Sequence, residues 1–138
     1  MRKICLYGLL PLLLALAACQ SEPRNADLID NAPLLTKSYT DDLGREIVLK
    51  KAPERVISLA PNTTEMIMAI GGAELLAARS QADDYPPEIE DYPVITTYPE
   101  LDLAGIFEMQ PDLILATNEI IDPRATEFFE KNGIPVYF

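Results

Sequence analysis

Short apolar runs alternate with helically spaced stretches along most of this chain. Val56 to Leu59 is a run of the kind buried inside a parallel sheet. Ala60 and Pro61 break it, because the residue before a proline is biased away from helix. Asn62 then predicts a helix N-cap, with Glu65 three residues on as the other half of a capping box. Met66 to Ile70 is apolar all round, which predicts a helix buried on most sides. Gly71 and Gly72 end it.

The same logic repeats downstream. Leu75 to Ala78 predicts a second buried strand, and Arg79 to Glu90 a long irregular loop containing Pro86 and Pro87. Val94 to Thr96 is a brief strand. Leu103, Ile106 and Phe107 share one helical face, and that helix stops before Pro111. Asp112 to Ala116 is a strong buried strand. Asp122 caps the next helix with Pro123 at its first position, Phe128 and Phe129 bury its face, and Asn132 and Gly133 end it. Ile134 to Phe138 is a last strand. Upstream, Lys37 to Thr40 and Glu46 to Leu49 predict a hairpin turning at Asp41 to Gly44, where glycine takes a positive φ. Strands alternating with helices predict an α/β fold: a Rossmann-like parallel sheet with helices on both faces, preceded by a β-hairpin.

The first nineteen residues follow another rule. A basic start, Arg2 and Lys3, precedes an apolar stretch too short to span a bilayer comfortably, then Leu16, Ala17, Ala18 and Cys19. Small residues before a cysteine resemble a bacterial lipobox. The expectation is a signal peptide over 1–18 and an acylated Cys19, which anchors a protein to a bacterial membrane without a spanning helix. Whether that membrane is inner or outer is left open. Residues 19–35 are mixed and polar and predict a flexible tether. Residues 36–138 are the folded part.

Net charge adds exclusions. It is −11, and removing the +2 of Arg2 and Lys3 leaves −13 on the remainder. That argues against nucleic acid, which needs a basic patch to neutralise phosphates. There is no histidine, and the two cysteines, Cys5 and Cys19, both lie in the first nineteen residues. Catalysis by Ser–His–Asp or Cys–His within this chain is excluded, as is histidine-ligated zinc. No P-loop or GxGxxG stretch is present.

In open parallel sheets, ligands sit outside the carboxyl ends of the strands. Here those ends lead into four loops, at 60–63, 81–87, 97–99 and 117–119. They carry Asn62, Asp83, Asp84, Tyr85, Tyr98, Asn118 and Glu119. A rim of carboxylates, amides and tyrosines suits a polar, partly flat ligand.

Two stretches carry a family resemblance. The first runs from Thr40 through Arg55 to Gly72; the second is Leu103 to Leu115, with Pro111, Asp112 and Leu113 leading into a buried strand. Together they resemble the periplasmic binding proteins of ABC importers for iron–siderophores, haem and vitamin B12. The likeness covers roughly residues 36–138 and only the N-terminal lobe of a two-lobed fold, so the chain is expected to be truncated. A small complete domain is the alternative.

The resemblance implies a non-enzymatic, monomeric carrier that needs no cofactor or metal of its own and delivers its ligand to a permease. Asp84, Tyr85, Pro86 and Pro87 resemble the loop of cobalamin-binding members, and Tyr98 falls where those members place an aromatic over the corrinoid. A corrinoid is thus the implied cargo, bound by Asn62, Asp83, Asp84, Tyr85, Tyr98 and Asn118. An iron–siderophore or haem is the alternative cargo. The departures are Ala82, where a further tyrosine can stand, and Ala104, where a permease-docking glutamate is common. Glu108, one turn later, is the candidate substitute, with Glu100 and Asp102 just before. An enzyme on the same scaffold, or a surface lipoprotein without transport function, are the readings outside this class.

Overall fold

A computed structural model describes residues 36–138. The expected signal peptide over 1–18, the acylated Cys19 and the tether over 19–35 lie outside the described residues. Hairpin strands β1 (Lys37–Thr40) and β2 (Glu46–Leu49) pair antiparallel, with Lys37 opposite Leu49 and Thr40 opposite Glu46. Gly44 turns the hairpin at φ 75°. The remaining strands form one parallel sheet. They are β3 (Val56–Ser58), β4 (Leu76–Ser80), β5 (Val94–Ile95), β6 (Leu113–Leu115) and β7 (Val136–Tyr137), in the order β5-β4-β3-β6-β7. Three α-helices connect them: α1 (Pro61–Ala69), α2 (Leu103–Glu108) and α3 (Pro123–Lys131).

Strand β3 is central and registers with β6 through Val56 to Leu113, Ile57 to Ile114 and Ser58 to Leu115. The chain leaves β3 toward β4 and leaves β6 toward β7, in opposite directions. Right-handed crossovers in opposite directions put their helices on opposite faces. Two apolar clusters bear this out. Ile57, Ile114 and Val136 pack with Ile106 of α2 and with Ala125 and Phe129 of α3. Val56, Leu76 and Leu113 pack with Ile67 of α1. The first cluster is the larger, and Phe129 in it is fully buried.

Three local expectations need correction. Helix α1 begins at Pro61, not after Asn62. Its N-cap is Ala60, which makes no side-chain cap. Proline has no N–H to leave unpaired at the first helical position and its fixed φ suits that position, so the helix starts there and Asn62 lies inside its first turn. Nor is α1 buried on most sides. It buries Thr63, Thr64 and Ile67 against the sheet and leaves Met66 57% and Ile70 84% exposed. In α2 only Ile106 is buried; Leu103 and Phe107 stay at the surface. Phe107 instead meets Phe128 of α3 with ring centroids 5.9 Å apart, and Phe128 meets the buried Phe129 edge-on at 5.4 Å. Phe128 is therefore half-exposed, not part of the buried face.

The caps of α2 and α3 are side chains. Asp102 accepts from the Gly105 N–H at 2.9 Å, and Asp122, as expected, from the Ala125 N–H at 2.8 Å. A Cβ at Gly105 would collide with the Asp102 carboxylate, so glycine there keeps the cap in place.

The hairpin docks beside β7 through Arg45. Its guanidinium donates to the Val136 carbonyl at 2.6 Å and to Glu130 at 2.9 Å, pairs with Asp41 at 2.7 Å, and lies 4.5 Å above the Phe138 ring. The Asp42 N–H donates to the Phe138 carbonyl at 3.0 Å. Burial alone would raise the Asp41 carboxyl, but the bonds and charge of Arg45 and the Leu43 N–H outweigh it and hold it below its ordinary value.

Replacing Phe129 with alanine should cost ~3–5 kcal/mol, because it removes a fully buried ring from the larger core. Phe128→Ala, at 42% exposure, should cost less than half of that. Urea unfolding of the two variants checks the order.

Candidate functional site

All five strands of the sheet are parallel, so the loops leaving β3, β4, β5 and β6 open onto one edge. Chain directions diverge between β3 and β6, and that switch point makes a crevice between their outgoing loops. Asn118, just beyond β6, lines three hollows, two of them along this edge. One, of about 550 Å³, is walled by Tyr98, Pro99, Glu100, Glu119 and Pro123 among others. The other, of about 540 Å³, lies over α1 and is walled by Asn62, Thr63, Met66, Ile70, Tyr137 and Phe138 among others. The structure thus brings Tyr98 to Asn118, and Asn118 to Asn62, along one rim.

Tyr98 is 77% exposed and Tyr85 61% exposed, which is unusual for rings of this size. They stand on neighbouring loops, since β4 and β5 pair directly through Arg79 to Val94 and Ser80 to Ile95. Gln81 ties the two loops together by donating from Nε2 to the Tyr98 carbonyl at 2.9 Å. Asp84 is exposed beside Tyr85, and Glu100 and Glu119 are exposed near Tyr98. The rim therefore offers bare aromatic faces among amides and carboxylates, which suits stacking against a flat ligand with polar edges.

Asp83 departs from the expected rim. It is 6% exposed and points inward, where its Oδ2 accepts from the Ser80 N–H at 3.1 Å and from the Thr64 hydroxyl. It is a strut beneath the rim, not a surface contact. Behind it runs a chain of buried hydroxyls: Thr64 to Ser58 at 2.7 Å, Ser58 to Thr63 at 2.6 Å, and Thr63 to the Ala60 carbonyl at 2.8 Å.

The Ser58 hydroxyl also reaches the Ala60 carbonyl, at 3.2 Å. The second carboxyl oxygen of Asp83, Oδ1, has no partner among the described residues. Burial raises the Asp83 carboxyl above its ordinary 3.8; the Thr64 and Ser80 bonds and the Arg79 charge offset only part of that.

Glu108 is the last residue of α2 and is exposed. Helix α2 runs from the end of β5 back to the start of β6, so Glu108 lies at the edge opposite the ligand loops. Asp102 is engaged as the α2 cap, and Glu100 and Glu119 are exposed acids that share a hollow with Tyr98. The hydroxyl chain was missed in the sequence. Its signal is Ser58, Thr63 and Thr64 inside an otherwise apolar strand and helix start, which need a polar partner once buried.

Fold and rim make one α/β unit whose loops gather at the carboxyl edge of a parallel sheet. No model of a known protein family matches the chain. A vitamin B12-binding protein of Pectobacterium carotovorum subsp. carotovorum is 41% identical over 86 residues, which is 62% of this chain and 31% of that protein. The crystal structure of the periplasmic vitamin B12 binding protein of Vibrio cholerae superposes with a TM-score of 0.56 at 33% identity, covering 62% of this chain and 33% of that one. The periplasmic haem-binding protein of Roseiflexus superposes with a TM-score of 0.57 at 28% identity, over 62% and 33%. The chain spans about a third of the length of the curated relatives it matches. That share fits the resemblance to a single lobe of these two-lobed proteins.

A raised acid holds its proton more tightly when folded. Any stability drawn from protonated Asp83 is present below 3.8 and is lost as pH rises through its raised folded value. An NMR titration of the Asp83 carboxyl carbon should therefore give a midpoint above 3.8; a midpoint at or below it would contradict the inward, desolvated placement.

Proposed function

We propose that this chain is a lobe of the lipid-anchored substrate-binding protein of an ABC importer, and that its cargo is a cobalamin-type corrinoid. The pair of bare rings, Tyr85 and Tyr98, on adjoining loops at the carboxyl edge carries this reading. A corrinoid presents a flat macrocycle fringed with amides. Tyr98 stacks on the macrocycle, Tyr85 flanks it, and Asn62, Asn118 and Asp84 meet the fringe. No bond of the cargo is made or broken; the lobe captures and releases. The likeness to proteins named for binding vitamin B12 supports the same cargo.

Stacking gains dispersion and apolar burial, but one lobe supplies only part of the desolvation that a closed site gives. Affinity in the chain by itself is accordingly modest. Cys19 carries the acyl anchor, residues 19–35 hold the lobe off the membrane on its periplasmic side, and the protein acts as a single copy. The permease reads acids on the lobe surface. Glu108 remains one candidate for that contact, and Glu100, which shares the Tyr98 hollow, is the other.

Haem or an iron–siderophore is the second reading. Two exposed phenols could ligate iron, and the haem-binding Roseiflexus protein shares the fold and over a quarter of aligned positions.

Calorimetric titration of the full chain with cyanocobalamin should show saturable heat. Tyr98→Ala should weaken it about tenfold or more, near 1.4 kcal/mol. No heat from the unsubstituted chain, together with a Tyr98-dependent colour change on adding haem, would transfer the assignment to iron chelates.

A further inference from the structure

Asp83 is a buried acid that touches no ligand in the account above, yet it precedes Tyr85 by two residues. The segment between β4 and β5 has few main-chain bonds of its own. The Asp83 N–H donates to the Ser80 carbonyl at 3.2 Å and the Ile89 N–H to the Pro86 carbonyl at 3.0 Å. Pro86 and Pro87 contribute no N–H. Side chains close it instead. Arg79 donates from Nε to the Ile89 carbonyl at 2.8 Å and from Nη1 to the Asp83 carbonyl at 2.9 Å, so one guanidinium joins both ends of residues 83–89.

That closed segment turns the fully buried Ile89 inward, and its buried carboxylate, Asp83, is held by the Ser80 N–H and by α1. The Asp83 carboxylate receives the Thr64 hydroxyl, and Thr64 is fully buried in the first turn of α1. Its neighbour Thr63 lines the hollow shared with Asn62 and Asn118. A hydrogen bond to a charged group is stronger than one between neutral groups, and at a dry site its loss leaves a bare charge.

We propose that Thr64 and Asp83 are positioning residues for Tyr85, bracing residues 81–91 against the first turn of α1 so that the ring's place on the rim is set from inside the lobe. The proposal rests on the reading of Tyr85 as a ligand contact. It extends that reading by linking the Tyr85 loop to the rim at Asn62 through a path no ligand touches.

Amide hydrogen exchange on the full ligand-free chain tests the brace. Thr64→Val keeps the shape and removes the hydroxyl; Thr64→Ser keeps the hydroxyl. Thr64→Val should speed exchange in the peptide covering 81–92 about tenfold while leaving β6 unchanged, and Thr64→Ser should stay within about twofold. Titration with cyanocobalamin should weaken in the same order. Should Thr64→Val unfold the whole lobe, Asp83→Asn, which keeps an acceptor, against Asp83→Ala, which does not, carries the same comparison.

Equal exchange in Thr64→Val and the unsubstituted chain would overturn the brace, as would equal damage by valine and serine. Rapid exchange at the Ser80 and Asp83 amides of the unsubstituted chain would overturn it without any variant. If the unsubstituted chain takes up no cyanocobalamin, the corrinoid assignment fails, while the exchange comparison still decides whether the brace exists.

Discussion

The pairing of β3 with β6 sets everything that follows from it. Val56, Ile57 and Ser58 are buried on both faces and register with Leu113, Ile114 and Leu115. Because β3 runs on to β4 on one side and β6 to β7 on the other, this junction is where the helices change faces. It fixes α1 over one side and α2 and α3 over the other, and it splits the outgoing loops so that a crevice opens above it. Asn62 and Asn118 sit at that split. The rim is therefore a consequence of strand order, reached before any particular side chain on it is considered.

The two faces are closed to different degrees. Phe129, Ile106 and their neighbours seal the α2–α3 side. The α1 side has a smaller buried cluster, and beyond it Met66, Ile70, Tyr137 and Phe138 line an open apolar groove. The hairpin meets this side through Asp42 and Leu43 at its tip and through Leu49, which packs against the smaller cluster. The sealed face gives the rim a firm base, and the buried hydroxyls of Ser58, Thr63 and Thr64 put polar contacts where a loop must be held in one place.

Much of this was legible in the sequence, for identifiable reasons. The hairpin was readable because alternation and a glycine turn both act locally, and Gly44 does take the positive φ. The Asp122–Pro123 start of α3 and its Gly133 stop were readable because capping depends on a few adjacent atoms. Burial was less so. Met66 and Ile70 look like core by composition, but a helix lying on a sheet buries one face, and what covers the other is not encoded in the helix itself. Asp83 looked like a rim acid because its neighbours Asp84 and Tyr85 are rim residues. Only the folded chain shows that its side chain turns inward to Thr64, nineteen positions away in the chain. The start of α1 was misplaced by a cap signal at Asn62, where Pro61 at the first position prevailed.

A ligand can meet this lobe at the rim or in the groove over α1. Amide chemical shifts of the full chain, followed as cyanocobalamin is added, separate the two. The account predicts that the shifts gather in the loops at 60–63, 81–87, 96–100 and 117–119, with Tyr85 and Tyr98 among the most affected. Shifts gathered instead along Met66, Ile70 and Phe138, or none at all at saturating cobalamin, would contradict it.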